Sequence, residues 1–458
     1  MTKITSSNPS LDYRSIWEIE ITQKEELPHR VQAAKQAQLS WSQKSVGERK
    51  NILQEVFELF LTKKEVLAQS ISAEMGMPIV QARDEVEYGY MYFKGYLEMC
   101  ETALKPHITK ETATELHQVS YEAKWVVAAI APWNYPFSMC IWTSIQALLA
   151  GNAVIFKTSK EVILTGKVIA DIFWESTLPK WVFQEIFGSG ELWDALLEQD
   201  IDMVTFTGST EVGRHIYMKA AEKLIPCVME LGGSAPGIVC EDADVDKVLD
   251  SLYFLRYSNA GQMCDGLKRL IVHEHRYEEV VKKLSEKLSS KKVGPASEES
   301  TDIWPLVSKH QQEACELQLQ DALEKWASIL AVAKVDIHLK GAYVIPTLLG
   351  NISPDMKVWN EEVFWPLLPI MTFSSHEEAI LLGNDTIYGL GWYIFTERRD
   401  IFEYIAKHLK TWEVQHNNLN YCIPENPFGG YKHSGIWREH GVWGFHEFSN
   451  IKVISIQK

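Results

Sequence analysis

From residue 121 onward, short β-rich runs alternate with apolar helical stretches, and this alternation restricts the fold more than any other feature of the 458 residues. WVVAAIAP, NAVIFK, WVFQEIFG and MVTFTG are separated by stretches such as SMCIWTSIQALLAG and ILTGKVIADIFWES. Strand, helix and strand in succession predict a parallel, doubly wound α/β sheet, because a parallel neighbour is reached only through a crossover. Such sheets hold nucleotides at the C-terminal ends of their strands. Upstream, residues 28–75 and 84–104 read as helices. Leu53, Val56, Phe57 and Phe60 recur at the spacing of one helical face. The polar, threonine-rich stretch 105–120 reads as an exposed extended arm. RLIVHE, a helix at 276–291, AYVIPTLL and FWPLLPIMTF define a second α/β region from about 233 to 430. The alternating end of FHEFSNIKVISIQK suits an edge strand.

Composition removes several classes of function. The net charge is −16 and the pI about 5.4, so nucleic-acid phosphates and anionic membranes repel the chain as a whole. No nucleic-acid or membrane partner is expected. No stretch approaches the ~18 apolar residues of a membrane span, and MTKITSSNPSLDY lacks the apolar centre of a signal peptide. Seven cysteines, an odd number without a CxxC pair, predict reduced thiols in a cytoplasmic protein. The fourteen histidines form no HExxH and no zinc-like spacing with cysteine, so no metal is expected.

Three residues stand in distinctive small-residue contexts: Cys264 in NAGQMC, Glu230 in ELGG and Asn134 in APWNYPF. A thiol, a carboxylate and an amide are the parts needed for covalent work on a carbonyl: nucleophile, proton acceptor and oxyanion donor. Taken singly, each is more often a core cysteine, a solvated carboxylate or a turn residue. In VTFTGSTEVG, a strand runs into Gly208 and Ser209 ahead of a helix from Thr210, an arrangement that serves a phosphate or simply a capped turn. GSGELW has Trp193 where a dinucleotide fingerprint needs its third glycine, and reads as a turn before a helix. Lys157 ends NAVIFK, where a lysine can reach ribose hydroxyls or a phosphate.

Together APWNYPF, VTFTGSTEVG, ELGG, GQMC, EEVFWP, NDTIYGLG and PFGGYKHSG, in this order, resemble the aldehyde dehydrogenase superfamily over nearly the whole chain. The ending PFGGYKHSG…EFSN is most similar to the succinate-semialdehyde dehydrogenase branch. The resemblance implies a Rossmann-type dinucleotide-binding domain (1–104 and 121–232), an α/β catalytic domain (233–430) and a small β oligomerisation element (105–120 and 441–458). It makes Cys264 the nucleophile, Glu230 the general base and Asn134 the oxyanion donor. Trp133, Lys157, Lys160, Gly208, Ser209, Leu231, Gly232, Glu362 and Phe364 fall at cofactor positions, and Trp142 and Ser434 at substrate positions. It further implies a homodimer or homotetramer oxidising an aldehyde, with succinate semialdehyde as candidate, to a carboxylic acid with NAD(P). A non-catalytic family member is the alternative from another class.

The sequence departs from this pattern in several places. Lys160 stands where NAD-preferring members carry a glutamate, which makes NADP the candidate preferred form unless Lys160 points to solvent. Trp142 replaces the arginine expected to hold a distal carboxylate, favouring a more apolar or aromatic aldehyde. Trp365 and Trp437 occupy glycine positions, and Asp265 follows the nucleophile directly, where a carboxylate raises a thiol's pKa.

Overall fold

The computed structural model describes residues 3–298, 300–336, 338–417 and 422–458. Two α/β sheets dominate it, and the chain passes from one to the other between Glu230 and Ala235. The first sheet orders its strands Gly435–Ile436, Cys227–Glu230, Met203–Thr207, Val126–Ile130, Ala153–Lys157, Phe183–Ile186. All pairs are parallel except the one made by Gly435–Ile436. Val126–Ile130 and Ala153–Lys157 are buried throughout, which is why they read as unbroken apolar runs rather than alternating ones. The helix between them, Pro136–Leu149, is buried at every position, and proline at its start is pre-set for the helical φ.

Val126–Ile130 is the first parallel strand in sequence, with Ala153–Lys157 on one side and Met203–Thr207 on the other. Strand order therefore reverses beside it, and a crevice opens at the strand ends there. Trp133 and Asn134, Gly208 and Ser209, and Glu230 all follow or end strands at this crevice.

The second sheet runs Ser328–Val332, Thr347–Gly350, Leu367–Phe373, Leu267–His273, Ala235–Val239, Gly391–Phe395, Glu413–His416. Only its Ser328–Val332 edge is antiparallel. The long helix Ile79–Ala103 packs on Pro136–Leu149 and walls the space between the sheets.

The stretch read as a plain extended arm is two strands, His107–Glu111 and Glu115–Ala123, and the second runs past residue 120. It pairs antiparallel with Ser449–Gln457 along its whole length, from Ser449↔Ala123 to Gln457↔Glu115. Residues 441–447 form a helix rather than part of that strand, because Phe445 is buried and Gly444 sits against the Gln146 side chain. The polar start also differs from a loose end: Lys3–Asn8 and Arg14–Glu20 form an antiparallel hairpin.

Candidate active site

The Cys264 loop is built from an unusual backbone turn. The helix Val245–Tyr257 ends in Ser258–Gly261, where Asn259, Ala260 and Gly261 have φ of 48°, 51° and 79°. Left-handed backbone at two non-glycine residues is costly and persists only where the surroundings fix it. Here the surroundings do. Asn259 Nδ2 donates to the Asn134 carbonyl at 2.8 Å, and Gln262 Nε2 donates to the Asn259 carbonyl at 3.0 Å. The fully buried Arg256 donates to the carbonyls of Gly261, Leu267, Val363 and Trp365. One guanidinium thus ties the turn to the strand after Cys264 and to the EEVFWP segment.

Cys264 emerges from this loop half-buried and lines a cavity of about 670 Å³. Burial pushes its thiol well above the ordinary range, Asp265 adds to the rise, and Lys268 opposes it. The thiol points at Asp265 Oδ1, 3.9 Å away, so the expected influence of that carboxylate has a geometric basis. Asn134 is buried and donates from Nδ2 to the Gln262 carbonyl at 3.0 Å. That bond aims the amide at the Cys264 loop.

Glu230 ends the strand Cys227–Glu230, and both carboxylate oxygens are buried without a hydrogen-bond partner among the described residues. Burial holds its carboxyl well above the carboxylate range, with Glu439 pushing the same way and Arg438 opposing. A buried carboxylate with unused acceptors and raised proton affinity is suited to taking a proton from water. Cys264, Asn134 and Glu230, far apart in sequence, line one cavity.

The same cavity is lined by Trp133, Trp142, Gly208, Ser209, Leu231, Gly232, Glu362 and Phe364. Ser209 caps the helix Thr210–Glu222, accepting from Val212 N at 3.4 Å, and that helix end points its early amides at the crevice. At Gly232 a Cβ would come within 2.3 Å of Glu362 Oε2. Trp133 and Phe364 stand edge to face, ring centres 5.7 Å apart. An anion-binding helix end, a glycine where the backbone must pass close, and an aromatic wall fit an extended dinucleotide.

Not every candidate lines the cavity. Ser434 is fully buried outside the cavity wall, its Oγ accepting from Gly389 N at 2.9 Å, which corrects the expectation that it faces a substrate tail. Lys157 is buried at the end of its strand, and burial brings its ammonium down to about 8. Lys160 is exposed, 3.6 Å from Glu161, and near enough to Lys157 to lower it further. Trp365 is a wall residue whose indole N–H donates to Gln318 Oε1. Trp437 is at the surface with φ of 65°, holding a backbone conformation that glycine adopts more easily. Trp142 packs among Tyr92, Phe428 and His440, and its indole nitrogen has no partner among the described residues.

Sequence reasoning missed Arg256 and Lys268, which sit in ordinary helix and strand positions. It also saw no metal-ligand spacing, yet Glu241, His273 and His275 bring one ligand atom each within 4.8 Å of one another. None of these three lines the cavity.

The comparisons with known proteins agree with this geometry. The pattern of the aldehyde dehydrogenase family matches residues 1–454. Aminoaldehyde dehydrogenase 1, peroxisomal, of Pisum sativum is 34% identical over 99% of this chain and 92% of its own length. Succinate-semialdehyde dehydrogenase [NADP(+)] of Deinococcus radiodurans is 31% identical over 94% of this chain and 90% of its own. The NAD+ complex structure of aldehyde dehydrogenase from Bacillus cereus superposes with a TM-score of 0.95 at 30% identity, covering 99% of this chain and 93% of that one.

Proposed function

The chain belongs to the aldehyde dehydrogenase family, and from that premise we propose that Cys264, Asn134 and Glu230 oxidise an aldehyde whose tail carries no carboxylate. The observation behind the substrate class is the cavity wall. It presents Asp84, Glu85 and Asp265 with Tyr88, Trp142, Trp304 and Phe428, and no lysine, arginine or histidine among the described residues. A distal carboxylate would meet repulsion and no ion-pair partner there. A cationic tail would find carboxylates and aromatic faces, and an apolar tail the aromatic faces alone. The aminoaldehyde dehydrogenase of Pisum sativum among the relatives is in keeping with the cationic choice.

In this reading the Cys264 thiolate adds to the aldehyde carbon and forms a thiohemiacetal. Asn134 Nδ2 and the Cys264 backbone N–H donate to the oxyanion. A bound NAD(P) supplies the hydride acceptor. What remains on sulfur is a thioester. Glu230 then takes a proton from water, the hydroxyl oxygen bonds to the acyl carbon, and the C–S bond breaks to release a carboxylic acid and the Cys264 thiolate. Gly208 and Ser209 would hold the pyrophosphate, Lys157 and Lys160 the adenosine ribose and Glu362 the nicotinamide ribose, with Trp133, Leu231, Gly232 and Phe364 shaping the crevice around them. The domain roles follow the same reading: the first sheet for the dinucleotide, the second for the nucleophile loop.

The test is a substrate panel followed at 340 nm with mass spectrometry of trapped protein. We expect an acyl adduct on Cys264, loss of at least about 10³-fold in kcat in Cys264→Ala, and kcat/KM for succinate semialdehyde at least about tenfold below that for an aminoaldehyde. An equal or higher value for succinate semialdehyde overturns the substrate class. Undiminished turnover in Cys264→Ala overturns the chemistry.

A further inference from the structure

Lys268 is the one lysine whose ion-paired side chain is fully buried among the described residues, and its partner, Glu362, lines the cavity. Its Nζ is 2.5 Å from Glu362 Oε1 and 4.9 Å from the centre of the Phe364 ring. The Gly233 amide donates to the same Oε1 at 3.0 Å. Two donors therefore converge on one oxygen of Glu362. The other, Oε2, lies over Gly232, whose missing Cβ leaves it room, and Glu362 is part of the cavity wall.

A long acidic side chain at a cavity edge ordinarily samples several rotamers. Here an ammonium and an amide remove that freedom and leave a single acceptor turned toward the space above Gly232. The ion pair is also electrically relevant to the thiol, because Glu362 raises and Lys268 lowers the proton affinity of Cys264. Removing the ammonium alone would leave a carboxylate unpaired in a half-buried site beside the nucleophile.

We propose that Lys268 is a positioning residue for the cofactor site, pinning Glu362 Oε1 so that Oε2 is held ready for a ribose hydroxyl while the carboxylate's charge is cancelled beside Cys264. This rests on the reading above that Glu362 faces the nicotinamide ribose. Lys268 itself touches neither substrate nor reacting atoms. It acts through Glu362, and its chemistry needs both length and charge, so methionine keeps the first and removes the second.

The experiment is a double-variant cycle on the full chain: Lys268→Met, Glu362→Gln and the two together. Two quantities are read, the KM for the dinucleotide and the pH midpoint of Cys264 alkylation by iodoacetamide in the apoenzyme. We expect Lys268→Met to raise the dinucleotide KM roughly tenfold, the scale of a lost charge-assisted hydrogen bond, and to move the alkylation midpoint upward. In the Glu362→Gln background, adding Lys268→Met should change the KM less than about twofold, since nothing charged remains to be positioned. That comparison holds even if Lys268→Met alone folds poorly, because the doubly substituted site is neutral. A full tenfold effect of Lys268→Met in the Glu362→Gln background, or a wild-type KM in Lys268→Met when Glu362→Gln raises it, overturns the proposal. A wild-type KM in Glu362→Gln instead overturns the placement of Glu362 beside the ribose. The upward alkylation shift in Lys268→Met then still separates the electrostatic half of the proposal from that failure.

Discussion

At the scale of single residues, proton affinities set the working range of this site. Glu230 acts as a base only when deprotonated, yet burial and the neighbouring Glu439 hold its proton on. Turnover limited by thioester hydrolysis should therefore climb as pH rises through the raised Glu230 value. Glu439 is itself pushed up to about 7 by burial, with Thr205 donating to its Oε1 at 3.1 Å. Glu439→Gln removes a like charge, so the acid limb of the kcat profile is expected to move to lower pH, by up to about one unit. A pH–kcat series on the two proteins checks the sign. Lys160 offers a second residue-scale test. Its exposed ammonium near Lys157 favours a 2′-phosphate, so Lys160→Glu should lower the NADP-to-NAD ratio of kcat/KM by about tenfold or more. An unchanged ratio would mean that Lys160 does not sense the cofactor. Cys264, Glu230 and Asn134 were readable in the sequence because each lies in a short stretch of small residues that the backbone itself demands. Lys268 was not. In the strand Leu267–His273 it looks like any charged residue, and its meaning appears only when Glu362, 94 positions later, is folded onto it.

At the scale of elements, Glu74 shows how one helix starts another. It ends near the close of Lys64–Met75, and its carboxylate accepts from the amides of Leu164 and Thr165, the Thr165 hydroxyl and the Ser6 hydroxyl. The helix Ile163–Glu175 thus receives its N-terminal cap from a different helix, and the Lys3–Asn8 strand is tied to the same carboxylate. Glu74→Ala is expected to cost about 2–4 kcal/mol in urea unfolding, because two buried amides lose their acceptor. Burial nonetheless raises this carboxyl from an ordinary 4.5 to about 7. Its folded value lies above its unfolded one, so its contribution to stability falls as pH rises from about 4.5 to 7, and Glu74→Gln should flatten that slope. Helical periodicity made the helices themselves legible, and the parallel strands betrayed themselves as unbroken apolar runs. The caps supplied in trans, by Glu74 and by Glu85, which accepts from Ser138 N at 2.8 Å, were invisible because no local spacing encodes them. The same limit hid the hairpin at 3–20 and the helix 441–447, both stabilised by distant partners.

At the scale of the whole molecule, the three-stranded sheet of His107–Glu111, Glu115–Ala123 and Ser449–Gln457 stands apart from the two large ones. It exposes Ile451 and Val453 on one face, a pair of β-branched side chains in water. We propose that this face and its open edges join subunits into a homo-oligomer, since an uncovered apolar sheet recruits a partner. Ile451→Asp combined with Val453→Asp should yield a smaller species in light scattering, and an unchanged mass would place the interface elsewhere. The polar, threonine-rich stretch 105–120 stood apart in the sequence from the strand–helix alternation that begins at 121. How the parts assemble was not legible, since edge strands look alike whether or not they meet another copy.

One pairing carries a consequence for biosynthesis. Gly435–Ile436 lies antiparallel against the strand that ends in Glu230, with Gly435 opposite Glu230 itself. Glu230 therefore lacks one strand neighbour until translation has passed residue 436. Under the proposed chemistry, a ribosome holding an unfinished polypeptide displays Cys264 while its companion carboxylate is still unsheltered, and competence is expected only with the closing stretch of synthesis.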